Sequence, residues 1–397
     1  VSHWLAVITQ TLVLLLSGAA LFLSSWIVVP APTMSLLPLG VGAPEVSPWL
    51  VVLNAIASLL VLVTIRRTPW QFLALAASLL ALLLSVLPLL QMPATQQHLA
   101  VAMQEGLGDY RGILPNRQQT GMREQPFVLA DVFRGIHPGE SRYTSGIVFS
   151  NPDGVPLSMD LYRPPQVGNY PALIIIYAGA WRSGDPTQNA DFSRYMAARG
   201  YSVFAIDYRH TPRYRFPAQL DDVRAALAFI HQHAAEYEAD PERIAIVGRS
   251  AGGHLAMLAA YEPDALPVKA VVSYYGPVDL PGGYADPPRP DPIDTRAVLK
   301  TFMGGTPATM PDRYRLASPI SYVRRSLPPT LLVHGSRDNL VQLKFIQQMH
   351  QRLRADGNIS VLLEIPWAEH AFDAVFQGLS NQLALYHTER FLDWALR

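Results

Sequence analysis

Hydrophobic positions divide the chain into two regimes. In residues 1–90 they form three unbroken blocks, Trp4–Val29, Trp49–Ile65 and Trp70–Leu87, the last closed by Pro88. A helix crossing the hydrocarbon core needs about 20 apolar residues, with a range of about 17–25. All three blocks meet that length. Trp4, Trp26, Trp49 and Trp70 stand near their ends, where indole rings favour the membrane interface. The pattern predicts three transmembrane helices. The first block lacks a basic n-region and is longer than an h-region, which separates it from a cleaved signal peptide.

From Ser141 onward, short apolar runs alternate with amphipathic stretches. Tyr143–Phe149 and Leu157–Tyr162, split by Asn151-Pro152-Asp153-Gly154, read as an antiparallel hairpin. Six further runs read as strands: Ala172–Tyr177, Tyr201–Ile206, Ile244–Val247, Ala270–Tyr274, Thr330–Val333 and Ile359–Ile365. Helical patterns separate them over Asn189–Arg199, Ala218–Ala234, Ala251–Tyr261 and Val341–Ala355, and a last helix is expected from about Phe372. This alternation predicts a mostly parallel sheet flanked by helices on both faces. Pro/Gly-rich Pro281–Pro292 and a short helix Thr295–Phe302 interrupt it, placed to serve as a lid or pocket wall. Residues 91–140 show no period and read as a linker with one short helix, Thr95–Gly106. The expected organisation is an anchor over 1–90, a linker over 91–140 and a catalytic domain over 141–397.

Charge sharpens the division. The charged side chains of residues 1–90 are Glu45, Arg66 and Arg67. The two arginines lie between the second and third blocks, and the positive-inside rule puts that turn in the cytoplasm. The expectation is an integral membrane protein whose catalytic domain is extracytoplasmic. Basic residues upstream of Val1 would add to this count. Over all 397 residues Lys plus Arg equals Asp plus Glu, so no basic surface for nucleic acid is expected. With no cysteine, disulfides, thiolate metal sites and a cysteine nucleophile are excluded.

The chemistry centres on Gly248-Arg249-Ser250-Ala251-Gly252. It follows the strand Ile244–Val247 and leads directly into a helical pattern, the strand–turn–helix context of a nucleophile elbow. Serine needs a base within hydrogen-bond reach, and the base needs an orienting acid. Asp338, in the loop after Thr330–Val333, and His370, in the loop after the last strand, stand in the order this fold requires. An oxyanion hole would draw on the N–H of Ala251 and on Gly179 and Ala180 after the third strand. Of the 11 histidines, His231, His233 and His387 read as surface residues on amphipathic helices. His254 reads as a packing residue, and His334 as shaping the acid loop.

Several segments together carry a resemblance. Ile206-Asp207-Tyr208-Arg209 through Phe216-Pro217-Ala218-Gln219-Leu220-Asp221-Asp222-Val223 resembles a D-Y-R…F-P-A…D-D-V signature. Asp240-Pro241-Glu242-Arg243-Ile244, Ala317-Ser318-Pro319-Ile320 and the loops around Asp338 and His370 agree with it. Residues 141–397 resemble the α/β-hydrolase superfamily in its esterase/lipase class, close to hormone-sensitive-lipase-like and feruloyl-esterase-like groups. The whole is thus expected to be an α/β-hydrolase fold preceded by a three-helix transmembrane segment. The resemblance implies a serine carboxylesterase needing no cofactor or metal, acting on a small-molecule ester, lipid-like esters included. Where the family usually has H-G-G-G or H-G-G-x-W, this chain has Tyr177-Ala178-Gly179-Ala180-Trp181. That variant is nearer the G-G-A-W of membrane-bound isoprenylcysteine methylesterases. A prolyl-oligopeptidase-type peptidase, a lipid-acting lipase or acyltransferase, and a non-catalytic binding protein remain alternatives.

Overall fold

The computed structural model describes residues 2–64, 68–113 and 121–397. Arg66 and Arg67, on which the expected orientation rests, lie outside the described residues. Eight strands form one sheet: β1 (Arg142–Ser150), β2 (Leu157–Arg163), β3 (Tyr170–Ile176), β4 (Ser202–Ile206), β5 (Ala239–Arg249), β6 (Ala270–Tyr274), β7 (Thr330–Gly335) and β8 (Ser360–Ile365). Their spatial order is β1-β2-β4-β3-β5-β6-β7-β8. β1 and β2 form the expected antiparallel hairpin, and β2 lies antiparallel to β4. All remaining pairs are parallel. From β3 the chain winds outward to β4, and from β5 it winds the other way to β6. The crevice beyond the carboxyl ends of β3 and β5 is therefore the topological switch point, where ligands bind in such sheets.

Side chains alternate across each strand, so each face carries its own core. Ile174, Ile176 and Ile246 pack with Leu220, Val223 and Leu255 on one face. Leu173, Ile175, Ala245 and Val247 pack with Phe192, Met196, Leu383 and Phe391 on the other.

Three N-terminal helices are long and apolar enough to cross a membrane. They are α1 (Ser2–Ser25), α3 (Ser47–Thr64) and α4 (Pro69–Leu107), with a short α2 (Leu37–Glu45) between the first two. Their pattern is inside-out. Ser24, Asn54, Ala57, Ala74, Ser78, Ala81 and Ser85 are buried, whereas Leu12, Leu15, Leu59, Val63, Phe72 and Leu83 are exposed. Small residues bring the helices together. Asn54 binds them through its Nδ2, which donates to Ser24 Oγ at 2.9 Å and Ser85 Oγ at 3.1 Å.

The segment read as a linker is different. α4 does not stop at Pro88 but runs through Pro88 and Pro93 to Leu107. At 1.5 Å per residue it is roughly 58 Å long, well beyond a hydrocarbon core of about 30 Å. Its second half buries Met92, Leu99 and Met103 against Val361 and Leu363 of β8 and Leu383 of the last helix (Leu379–Ala395). This packing offsets the hydrogen bonds that the prolines remove. The surface reading of His387 is also corrected, since its side chain is buried in the last helix. Trp49 Nε1 of α3 further donates to Val132 O at 3.2 Å.

The α1–α3 connection docks on the sheet domain at two places. Asn339 Nδ2 donates to Ala31 O at 3.0 Å, and Arg337 bonds Val28 O. Glu45 is buried at the start of the last helix, where its Oε2 accepts from Ser380 N at 2.8 Å and its Oε1 lies 2.5 Å from the Ser380 hydroxyl. Burial drives its carboxyl up to about 8, partly offset by the Ser380 hydrogen bonds. The folded protein therefore holds this proton where the unfolded chain has released it. The associated stability is fully present below pH 4.5, the unfolded value, and is lost as pH rises through about 8. We expect the thermal midpoint of the detergent-solubilised protein to fall between about pH 6 and pH 9. The permanently neutral Glu45→Gln should remove part of that fall. Identical pH slopes for the two proteins would contradict this role.

Candidate active site

The turn after β5 is built by backbone approach. Ser250 has φ 52° and ψ −118°, a left-handed conformation rare for a residue with a Cβ. It bridges β5 and the helix Ala251–Tyr261. A Cβ on Gly252 would sit 2.1 Å from Ile176 O, and one on Gly248 2.1 Å from Gly252 O. Only glycine fits at either place, and the serine side chain is forced up over the sheet edge.

The three groups expected from different loops meet there. His370 Nε2 lies 2.9 Å from Ser250 Oγ, and His370 Nδ1 lies 2.8 Å from Asp338 Oδ2. Asp338 Oδ1 accepts from Leu340 N at 2.9 Å and Val341 N at 2.8 Å. Burial pushes this carboxyl up, but the charge and hydrogen bond of His370, with help from His334 and Val341 N–H, hold it below the usual carboxylate range. His334 shapes the acid loop as expected, with Nε2 2.8 Å from Val341 O.

On the other side of Ser250, Gly179, Ala180 and Trp181 all have positive φ. A Cβ on Gly179 would lie 1.8 Å from Ser183 O, so the loop closes tightly on itself. Ala251 opens its helix, where a backbone N–H has no intrahelical partner. Ala180, Ala251, Ser250 and His370 border one pocket of about 80 Å³. Its walls are largely apolar: Val278, Leu280, Val298, Leu299 and Phe345. Gly283 and Pro288 of the Pro/Gly-rich insertion also line it, as a pocket wall requires. Among the described residues no group of His, Asp or Glu side chains is arranged to hold a metal ion.

Known proteins share this arrangement of strands and loops. The family model BD-FAE matches residues 159–353. Esterase LipQ of Mycobacterium tuberculosis is 30% identical over 308 residues, covering 72% of this chain and 72% of LipQ. The chain belongs to the α/β-hydrolase esterases. A probable carboxylic ester hydrolase of the same organism, LipM, is 34% identical over 254 residues, 59% of this chain and 57% of LipM. The chain thus spans little more than half the length of that relative. Esterase 2 of Thermogutta terrifontis, solved as its sarin-phosphonylated form, aligns at 25% identity with a TM-score of 0.52, covering 65% of this chain and 94% of that one.

Within this esterase fold, the D-Y-R and D-D-V segments form one clamp. Arg209 N and Nε donate to Asp222 at 2.8 and 3.0 Å, joining the loop after β4 to the helix that follows. Three features were not read from the pattern. His254, a packing residue as expected, also orients the loop of Gly179, Ala180 and Trp181. Its Nδ1 accepts from Trp181 Nε1 at 3.2 Å, and its Nε2 lies 2.6 Å from Ala317 O. Burial lowers its pKa to about 4, so it is the neutral ring that makes both contacts. Arg249 is buried beside Asp373. Glu369 joins the two loops that carry Asp338 and His370. Its Oε1 accepts from Asn339 N at 2.7 Å and from His370 N at 3.0 Å. Burial and the neighbouring Asp338 charge raise this carboxyl to about 7, partly offset by those N–H groups.

Glu369→Ala strands two buried N–H donors, each costing about 1–3 kcal/mol. A loss of roughly 2–4 kcal/mol in denaturant unfolding is expected, while Glu369→Gln, which keeps an acceptor oxygen, loses much less. Equal losses in the two variants would contradict the bridge.

Proposed function

We propose that this protein is a membrane-anchored carboxylesterase acting through an acyl-enzyme. The observation that carries the reading is the hydrogen-bonded line Asp338–His370–Ser250, set at a strained turn beside an apolar pocket. Ser250 Oγ attacks the ester carbonyl as His370 Nε2 takes its proton. His370 then delivers that proton to the departing alkoxide. Asp338 keeps the proton on Nδ1, so Nε2 is free to accept, and it stabilises the imidazolium that forms. The developing oxyanion is received by N–H groups of Ala251, Gly179 and Ala180, donors that need no reorganisation during the reaction. Water activated by His370 then hydrolyses the acyl-enzyme, and no cofactor enters the cycle.

The relatives support this reading, since they carry the names esterase and carboxylic ester hydrolase. The structural neighbour's phosphonylation by sarin is the behaviour of an activated nucleophile. Membrane anchoring is supported by the three apolar helices and their exposed Leu, Val and Phe side chains. The two arginines of the α3–α4 connection argue for an extracytoplasmic catalytic domain.

One observation favours a lipid-like ester. Leu340 lines the pocket and also packs on the cluster of Trp26, Ile27 and Ala31 at the end of α1. A wall shared with the membrane-proximal cluster suits an acyl chain delivered from the bilayer surface.

Ser250→Ala should fold normally and hydrolyse p-nitrophenyl butyrate at least ~10³-fold more slowly, as removal of a nucleophile does elsewhere. Turnover within a few-fold of wild type would remove Ser250 from the mechanism.

A further inference from the structure

α3 presents one apolar stripe outward. Trp49, Val52, Ile56, Leu59 and Val63 are exposed and recur along it at helical spacing. Its 18 residues extend about 27 Å at 1.5 Å per residue, close to the ~30 Å of a hydrocarbon core. A helix of that length has no turn to spare. A membrane-crossing α3 therefore puts its first turn, with Trp49, at the boundary between acyl chains and headgroups.

The stripe does not end with α3. The Trp49 ring packs edge to face on Phe133 at 4.7 Å, and its Nε1 bonds Val132 O. Both partners belong to the short helix Leu129–Arg134. Burial splits that helix. Asp131 and Val132 are buried, whereas Leu129 is 50% exposed and Phe133, one turn on, is 40% exposed. These two share an outward face, continuous with the stripe of α3 through Trp49. Arg134 follows them, its side chain 70% exposed and bonded to Asp131 at 2.7 Å.

Six residues make a helix too short to persist alone. Here the fold holds it. Val128 N and Arg123 Nη2 donate to Gln382 Oε1 of the last helix at 2.8 and 2.9 Å, and Arg123 Nη2 also donates to Asp131 Oδ2 at 2.9 Å. The face is preformed and joined to the sheet domain, so little ordering entropy opposes its use. Leu and Phe beside Trp, with an arginine at the edge, suit a membrane interface: rings and alkyl groups enter the acyl boundary while the guanidinium reaches the phosphates. A protein partner on this face would have to displace lipid from Trp49, whose ring belongs to both surfaces.

We propose that the helix Leu129–Arg134 is a second membrane contact, which inserts Leu129 and Phe133 into the headgroup layer of a phospholipid bilayer beside α3. It rests on the membrane-anchored reading above and extends it from the three long helices to the sheet domain. A contact beside the spans, joined to the last helix, sets how the sheet domain tilts on the bilayer.

The sequence has no cysteine, so a single introduced cysteine takes an environment-sensitive fluorophore without background. The full chain carrying Leu129→Cys is labelled and reconstituted in phosphatidylcholine vesicles with a nitroxide either on the headgroup or at mid-chain. Phe133→Cys is the second probe of the same face. Leu83→Cys, on the exposed side of α4, reports the anchor. Val167→Cys, exposed in the loop before β3, reports the far end of the sheet. The headgroup nitroxide should quench labels at 129 and 133 at least ~3-fold more than the label at 167, with a depth of roughly 5–10 Å into the headgroup/acyl boundary. A label at 83 quenched at mid-chain, with 129 and 133 no more quenched than 167, keeps the anchor and overturns the proposal. Quenching at none of 83, 129 and 133 removes the anchor and the proposal together. A blue-shifted label at 129 that neither nitroxide quenches marks a covering protein or a second copy of this chain, and also overturns it.

Discussion

The structure depends first on how closely two backbones approach beneath Ser250. Gly252 passes so near Ile176 O that no side chain fits, and Gly248 faces Gly252 with as little room. That contact fixes the angle between β5 and the helix after it, and it holds Ser250 at a φ its own Cβ disfavours. The strain is compensated by the surroundings, as is usual where a side chain must be aimed. Each neighbouring loop is measured from this point. β3 ends beside β5, so the Gly179–Trp181 loop arrives on one side. β7 and β8 deliver Asp338 and His370 on the other.

The N-terminal helices are part of this construction rather than a tether. α4 continues without interruption from the exposed apolar bundle onto the face of β8. The α1–α3 connection bonds the acid loop at Asn339 and caps the last helix with Glu45. The Asn339 N–H in turn meets Glu369, and Glu369 meets the His370 N–H. A continuous set of hydrogen bonds thus leads from Ala31 to His370. This explains how the sheet domain keeps one orientation towards the apolar helices packed against it.

The meeting of three distant side chains was legible because each follows its own strand. Ser250, Asp338 and His370 come after β5, β7 and β8, and in a parallel sheet all those ends point the same way. The alternation of apolar runs that marks the strands also marks where the loops must be. What stayed hidden depends on packing between distant segments. Pro88 reads as a stop because its cost is local, yet Met92, Leu99 and Met103 gain a sheet to pack on, which residue pattern does not display. The helix that carries His387 looks amphipathic in sequence, yet in the fold both His387 and its neighbours Thr388 and Glu389 are buried. Arg249 occupies the variable position of G-x-S-x-G, and nothing in the motif announces that Asp373, more than a hundred residues later, will pair with it. A stronger signal was available in Glu45, a lone acid in an apolar segment, which must find donors or lose its charge.

The central claim is that Ser250 is an activated nucleophile at the switch point of the sheet. The most direct measurement is intact-mass analysis after exposure to a fluorophosphonate, followed by peptide mapping, for wild type and His370→Ala. The account predicts a single adduct on the peptide containing Ser250, formed rapidly in wild type and at least ~10²-fold more slowly without the base. An adduct on another residue, or equal labelling rates in the two proteins, would contradict it.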